Sequence, residues 1–152
     1  MITKYKWKTH NEWLELRRAY IGGSEAGSII GMNYEYIIPL VPPSNNKYIG
    51  NGTKGKNFEY QTEKKHWAGY VNLFCRPKPP VPLEKAKVTL HYYFKDNRRR
   101  DPDNYSGKFI LDGLVKAKII QDDSFSVIDL ELRADVDMDK QGYTVIEVAQ
   151  NR

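Results

Sequence analysis

Apolar residues recur along the chain at two spacings, which together predict a fold that contains both strands and helices. Alternating apolar positions predict strands over residues 36–41, 86–94, 127–134 and 143–148. Helical spacing predicts main helices at 59–74 and 104–118, and shorter helices at 9–20 and 24–31. This order of elements favours an α+β fold: a single mixed sheet of about four strands with two main helices, plus an N-terminal helical extension.

The segments between these elements carry the residues that are typical of loops and turns. Residues 44–55 are rich in Asn, Gly and Lys without any periodicity, which predicts a loop. A turn around residues 140–142 is expected to join the last two strands as a hairpin. Asp135, Asp137 and Asp139 run into this turn, and we expect them to lie in a solvated loop.

Composition excludes several classes of protein. With 152 residues, of which 40% are apolar, the chain can bury one core without disulfides. No apolar run approaches the roughly 18 residues of a membrane span, and the first twenty residues do not resemble a secretory signal peptide. One cysteine and three scattered histidines exclude a disulfide framework and a Cys/His zinc site. These features predict a soluble, cytoplasmic protein.

Positive charge concentrates in two places along the chain. Lys and Arg number 24 against 19 acidic residues, which gives a net charge of +5. The clusters are residues 47–65 and the run from Arg98 to Arg100. This distribution fits a surface that binds a polyanion, although it does not require one.

The densest group of reactive side chains is Arg98-Arg99-Arg100-Asp101-Pro102-Asp103-Asn104, between a predicted strand and a predicted helix. On extended backbone, Asp101 and Asp103 would point to the same side and could converge on one ligand. The competing interpretation is structural: Asp103 or Asn104 caps the following helix, because Asp and Asn are preferred capping residues.

A second acidic pair, Asp122-Asp123, follows the second main helix. A helix that returned straight along the sheet would carry Asp123 to the far end from Asp101 and Asp103. The three carboxylates could then meet only if the chain doubled back or a second subunit supplied Asp123. Carboxylates held together without His or Cys select Mg²⁺ or Mn²⁺, and neighbouring arginines suit phosphate oxygens. The pattern therefore indicates metal-assisted phosphodiester cleavage.

Four short motifs occur in order within residues 36–148. They are Pro42-Pro43-Ser44-Asn45-Asn46, Arg99-Arg100-Asp101-Pro102-Asp103-Asn104, Leu111-Asp112-Gly113-Leu114 and Asp122-Asp123. In this order and spacing they resemble the RusA family of Holliday junction resolvases. The resemblance implies a RusA-like domain over 36–152 and a Mg²⁺-dependent endodeoxyribonuclease of bacterial or phage origin. Such an enzyme acts as a homodimer and nicks four-way DNA junctions during recombination and repair.

The resemblance also implies roles for individual residues. The metal ligands would be the carboxylates of Asp101, Asp103 and Asp123. Lys108 would be the basic catalytic residue in the first turn of the helix, provided that the helix begins late, around Gly107. The residues expected to contact DNA are Asn45, Asn46, Lys47, Arg98, Arg99, Arg100 and Asn104.

Residues 1–35 do not resemble that family. Trp13 to Arg18 and Ile21 to Ala26 are similar to the opening of YqaJ-type viral recombinase nucleases, which implies an appended helical fragment without catalysis of its own. An exonuclease built on this segment is a weaker alternative, because the acidic and lysine motifs of such enzymes do not follow. A second alternative keeps the RusA-like fold but binds branched DNA without cutting it.

Overall fold

The computed structural model of the protein describes residues 33–48 and 54–151. The helices expected at 9–20 and 24–31 lie outside the described residues. The predicted α+β fold with four strands and two main helices is confirmed for the described part. The elements are β1 (Asn33–Ile38), α1 (Lys54–Phe74), β2 (Ala86–Phe94), α2 (Lys108–Lys116), β3 (Ile128–Val136) and β4 (Tyr143–Gln150). Neither described helix is long and apolar enough to cross a membrane.

The four strands form one mixed sheet in the order β1-β4-β2-β3. Strand β4 runs antiparallel to both β1 and β2, whereas β3 runs parallel to β2. The chain from β2 through α2 to β3 is therefore a parallel crossover, and α2 runs back along the sheet. The expected hairpin of β3 and β4 is wrong, because β2 lies between these two strands and pairs with both.

The turn that joins β3 to β4 passes the end of β2 and is organised by one buried carboxylate. Asp137 is 4% exposed, and its backbone N–H donates to the Phe94 carbonyl. Its side chain accepts hydrogen bonds from the backbone N–H groups of Asp139, Gln141 and Gly142. The expectation that Asp137 lies in a solvated loop is therefore wrong, since its carboxylate satisfies three backbone donors of the turn.

One face of the sheet carries both helices and most of the core. Side chains at alternate positions of β2, such as Val88 and Leu90, are fully buried there against the helices. The two helices approach closely at Gly113, where a Cβ atom would lie 2.8 Å from Val71 Cγ2. The Leu111 to Leu114 motif therefore forms the contact of α2 with α1, and its glycine permits the short distance.

The opposite face of the sheet carries a ladder of rings. Tyr93 stacks on Tyr143 with ring centroids 4.4 Å apart, and His91 stacks on Tyr93 at 4.2 Å. The His91 Nε2 atom lies 2.6 Å from Asp135 Oδ2 at the edge of the ladder. Burial, together with the nearby Asp135 carboxylate, raises the pKa of Tyr93 to about 12.

Candidate functional site

The segment between β2 and α2 contains the predicted acidic residues and is not a helix cap. Asp101 has extended backbone and precedes a short 3₁₀ turn, Pro102–Tyr105, with no capping hydrogen bond from its side chain. Helix α2 begins only at Lys108, after Gly107 in the left-handed conformation. The capping interpretation of Asp103 and Asn104 is therefore wrong.

The helix expected over 104–118 and the extended backbone expected from Asp101 to Asp103 both differ from the structure. The helix expected over 104–118 is interrupted, because Gly107 has a φ of +83° between the 3₁₀ turn and α2. Asp103 lies within the 3₁₀ turn and is exposed, so the extended backbone that would align it with Asp101 does not continue to this residue. Neither carboxylate is committed to the helix, which leaves both available for a ligand.

Asn45 joins two motifs that lie far apart in the sequence. Its side-chain Nδ2 donates to the Asp103 carbonyl at 3.1 Å and to Ser106 Oγ at 3.0 Å. Asn45 itself opens the 3₁₀ turn Asn45–Lys47, which Ser44 caps through a hydrogen bond from the Asn46 backbone N–H. The Pro42 to Asn46 motif thus holds the segment that follows Asp101 in place, because the Asn45 side chain contacts both a backbone carbonyl and a side-chain hydroxyl there.

The three arginines before Asp101 have different surroundings. Arg100 is largely buried and packs over the Phe94 ring at 4.2 Å, and its Nη1 group donates to the carbonyls of Asp96 and Arg98. The Asp96 carboxylate accepts from both Arg98 and Arg100, at 3.0 Å and 2.7 Å. Arg99 is 90% exposed and lies 3.3 Å from Asp101 Oδ1. Arg98 and Arg99 are therefore exposed at the surface, each beside one carboxylate, whereas Arg100 holds the turn.

Asp96 organises this turn and is absent from the residues that the sequence singles out. Hydrogen bonds from Arg98 and Arg100 hold the pKa of the Asp96 carboxyl well below its usual range. The signal that could have identified it is the Asp96-Asn97 pair, which follows β2 after one intervening residue, because an Asp side chain often accepts hydrogen bonds from the backbone two residues later. Here the Arg98 N–H donates to Asp96 Oδ1 at 3.2 Å.

A shallow groove lies beside Asp101 on the helix-bearing face of the sheet. Asp101, Pro102 and Arg100 form one wall, and the side chains of Tyr92, Phe94, Tyr105, Leu132 and Ala134 line the rest. Because Leu132 and Ala134 belong to β3, the groove extends to that edge of the described sheet. The side chain of Asp101 is half exposed at its rim.

Asp122 and Asp123 lie at the other end of β2. The chain before them pairs with the approach to β2, since Gln121 N–H donates to the Leu83 carbonyl. The chain after them pairs with the first residue of β2, since Ala86 N–H donates to the Val127 carbonyl. A nine-residue strand is about 26 Å long, so the length of β2 separates Asp123 from the end that leads to Asp101. Helix α2 thus returns straight along the sheet, and one protomer does not bring the three carboxylates together.

Lys108 is the first residue of α2, so the helix begins late, at Gly107, which is the condition for placing Lys108 in its first turn. Its ammonium lies 3.6 Å from Asp112 Oδ2, and Lys64 of α1 lies at the same distance from that atom. Asp112 Oδ2 is buried and accepts no hydrogen bond among the described contacts. The carboxylate of the Leu111 to Leu114 motif therefore lies between two lysines, of which Lys108 is 56% exposed.

Among the residues the structure describes, no three His, Cys, Asp or Glu side chains stand close enough together to hold a metal ion. Of the remaining residues expected to contact DNA, Asn46 and Lys47 are exposed and Asn104 is half-buried. All three lie in the paired 3₁₀ turns that Asn45 connects. No protein-family model matches the chain, and no curated protein matches it either.

We expect Asn45→Ala to loosen the acidic segment, since it removes both side-chain hydrogen bonds to residues 103 and 106. The free energy of unfolding should fall by about 1–2 kcal/mol, as is usual when a pair of partly exposed hydrogen bonds is lost. Urea unfolding measures this change. Asn46→Ala is the matched control, because Asn46 is exposed and should change stability by less than about 0.5 kcal/mol. Equal effects of the two substitutions would contradict the role given to Asn45.

Proposed function

We propose that the protein is a Mg²⁺-dependent, structure-selective endodeoxyribonuclease that resolves four-way DNA junctions, as the resemblance to the RusA family implies. The observation that carries the proposal is the contact of Asn45 with the Asp103–Ser106 segment. This contact joins two motifs of the resemblance although 58 positions separate Asn45 from Asp103.

The carboxylates suit a hard divalent cation. Mg²⁺ is commonly held by one or two carboxylates together with waters and substrate phosphates, and Asp101 and Asp103 are exposed enough to act in this way. When bound, the ion would activate water as the nucleophile and stabilise the leaving oxygen of the phosphodiester. The capping role that competed for Asp103 is removed by the position of α2, which strengthens the case for a ligand.

Cationic side chains around the acidic segment provide contacts for the DNA backbone. Arg98, Arg99 and Lys47 are exposed near Asp101 or on the 3₁₀ turn that contacts its segment. A planar guanidinium matches phosphate oxygens in a bidentate manner, so the two arginines would orient the scissile strand. Lys108 is exposed enough to contact a phosphate, while its ion pair with Asp112 would hold the side chain near the acidic segment.

The alternative is a protein of the same fold that binds branched DNA without cutting it. The specific observation in its favour is the distance of Asp123 from Asp101, since a single protomer presents only part of the expected ligand set. The basic surface would then act alone, and affinity would depend on salt rather than on a divalent cation.

A cleavage assay on synthetic four-way junctions separates these functions. With Mg²⁺ we expect paired nicks in the junction and little cutting of a linear duplex of the same sequence. EDTA should abolish cleavage while gel-shift binding persists. Binding without cleavage in Mg²⁺ or Mn²⁺ would favour the non-cleaving module, and loss of preference for the junction over the linear duplex would contradict both functions.

A further inference from the structure

A second cavity lies beside the acidic segment, at the end of the sheet where β1 and β2 finish and β4 begins. Its volume is about 350 Å³, and we call it the Gln141 pocket. Both apolar and polar side chains line it, among them Leu40, Pro42, Lys95, Arg98, Tyr105 and Gln141. Phe94, Arg100 and Tyr105 line this pocket and also the groove of Asp101, so the two cavities share a wall.

Contacts within the chain hold the walls of the Gln141 pocket in place. The Thr144 hydroxyl donates to the Leu40 carbonyl at 2.8 Å, which ties the segment after β1 to β4. The Gln141 backbone N–H donates to the Asp137 carboxylate at 3.0 Å, which fixes the turn before β4. Since these bonds join the walls to one another, a guest would not have to order them, as is usual for pre-formed sites.

The side chains of the pocket favour a guest that has both an anionic group and an apolar part. Among the described residues that line it, Lys95, Arg98 and Arg100 are cationic and none carries a carboxylate. Arg98 gives two of its five N–H donors to Asp96, so others remain for a second acceptor. Leu40 is 42% exposed, which leaves apolar surface at the rim. A nucleotide matches this combination, because its phosphate suits cations and its base packs on apolar and aromatic side chains.

We propose that the Gln141 pocket binds one unpaired nucleotide of the DNA substrate and that Gln141 determines which base is preferred. The inference rests on the proposed function and names the part of the DNA that is recognised. The base would lie against Leu40 and Tyr105, with its phosphate at Lys95 and Arg98. Because the pocket shares a wall with the groove of Asp101, this nucleotide would lie close to the phosphodiester that is cut. Bases at the crossover of an open junction have lost one stacking neighbour, so they unpair at a lower cost than bases within a duplex.

The side chain of Gln141 is suited to contact the edge of a base. It is exposed, and its Nε2 atom lies as far as 3.4 Å from the Asp139 carbonyl that it contacts, while the backbone is fixed by Asp137. A side-chain amide offers an acceptor and a donor next to each other, which match the edge of a base in a bidentate manner. Among the described residues that line the pocket, Gln141 carries the only such amide.

The fluorescence of 2-aminopurine tests whether a base enters the pocket, and EDTA keeps cleavage out of the measurement. The analogue is placed in turn at each position next to the crossover of a four-way junction, and its emission rises when it leaves the base stack. With saturating wild-type protein we expect a rise at one of these positions. Leu40→Glu should abolish the rise and weaken binding about tenfold, because a carboxylate would occupy the place of the base.

Leu73→Glu is the matched control, since it adds the same charge at an exposed position on α1. We expect its fluorescence rise to equal that of the wild type. The proposal would be overturned by bound wild-type protein that causes no rise at any position. A rise that survives Leu40→Glu, or that Leu73→Glu abolishes to the same degree, would overturn it as well.

Competition binding in EDTA tests the role of Gln141 in choosing the base. Junctions with each of the four bases at the responding position should differ in affinity by about tenfold, as is usual for one bidentate contact between an amide and a base. Gln141→Ala should reduce this difference to less than about threefold, and Gln141→Glu should shift the preference toward cytosine, whose amino group donates to a carboxylate. Equal discrimination by the wild type and Gln141→Ala would refute the assignment.

The outcomes separate this inference from the proposed function. A protein that shows the fluorescence rise but does not nick junctions in Mg²⁺ would refute the endonuclease and support the pocket. A protein that nicks junctions without any rise would support the endonuclease and refute the pocket. Failure to bind the junction at all would refute both.

Discussion

Replacing Gly107 with alanine is expected to destabilise the protein by about 2–5 kcal/mol, because two independent costs add at this position. Gly107 has a φ of +83°, which a residue with a Cβ adopts only with strain. A Cβ atom here would also overlap Leu90 Cδ1 and would lie 3.2 Å from the Tyr92 hydroxyl oxygen. Both neighbours are buried, so they have little room to move.

Gly69→Ala is the matched control for this substitution. Gly69 lies within α1, and a Cβ atom there would have no neighbour within 4 Å. Alanine should therefore stabilise the helix by about 0.5–1 kcal/mol, since it reduces the entropy of the unfolded chain. Urea unfolding of the two variants measures the difference. A Gly107→Ala protein as stable as the wild type would show that the chain can continue into α2 without this left-handed residue.

The extent of single elements follows closely from the hydrophobic pattern. Strand β2 matches its predicted range, 86–94, because alternate side chains pack on the helices. The predicted start of helix α1, at residue 59, is too late. The helix begins at Lys54, in a polar stretch whose lack of apolar periodicity gives no sign of a helix. The helix expected at 104–118 is too long, because periodicity alone does not register the left-handed Gly107.

The arrangement of the strands could not be predicted in the same way. The patterns of β3 and β4 indicate two strands near in sequence, and nearness favours a hairpin. In the structure β2 occupies the place between them, because the crossover through α2 brings β3 parallel to β2. Alternation describes which face of a strand is buried, but it does not identify the neighbouring strand.

In the candidate site, too, local features can be predicted from the sequence, whereas tertiary contacts cannot. Its acidic and basic residues were identified from their local clustering, yet the contact of Asn45 with Asp103 and Ser106 depends on tertiary packing that spacing cannot reveal. The sequence left two alternatives for Asp123, a chain that doubles back or a second subunit. The straight return of α2 removes the first of these for the described chain. The separation of Asp123 from Asp101 therefore leaves a second subunit as the remaining alternative for a site with all three carboxylates.

Asp103→Asn is expected to lower the rate of junction cleavage by more than about a hundredfold, since a neutral amide is a poor ligand for a hard cation and a contact worth several kcal/mol is lost. Binding to the junction should persist, and in EDTA it should tighten, because one negative charge near the DNA backbone is removed. Stability should change by less than about 0.5 kcal/mol, because Asp103 is exposed and does not cap α2. Single-turnover cleavage, gel-shift titration and urea unfolding measure the three quantities.

Glu147→Gln is the control for the charge alone. Glu147 is exposed on β4, on the face of the sheet away from the helices, so this substitution removes the same charge without touching the acidic segment or the end of the sheet that carries Asp123. Its cleavage rate should stay within about twofold of the wild type, as is usual for a surface substitution far from a site. A folded Asp103→Asn protein that nicks junctions at the wild-type rate would refute the metal-ligand role of this residue. A loss of cleavage that Glu147→Gln shares to the same degree would refute it as well, since general charge would then explain both.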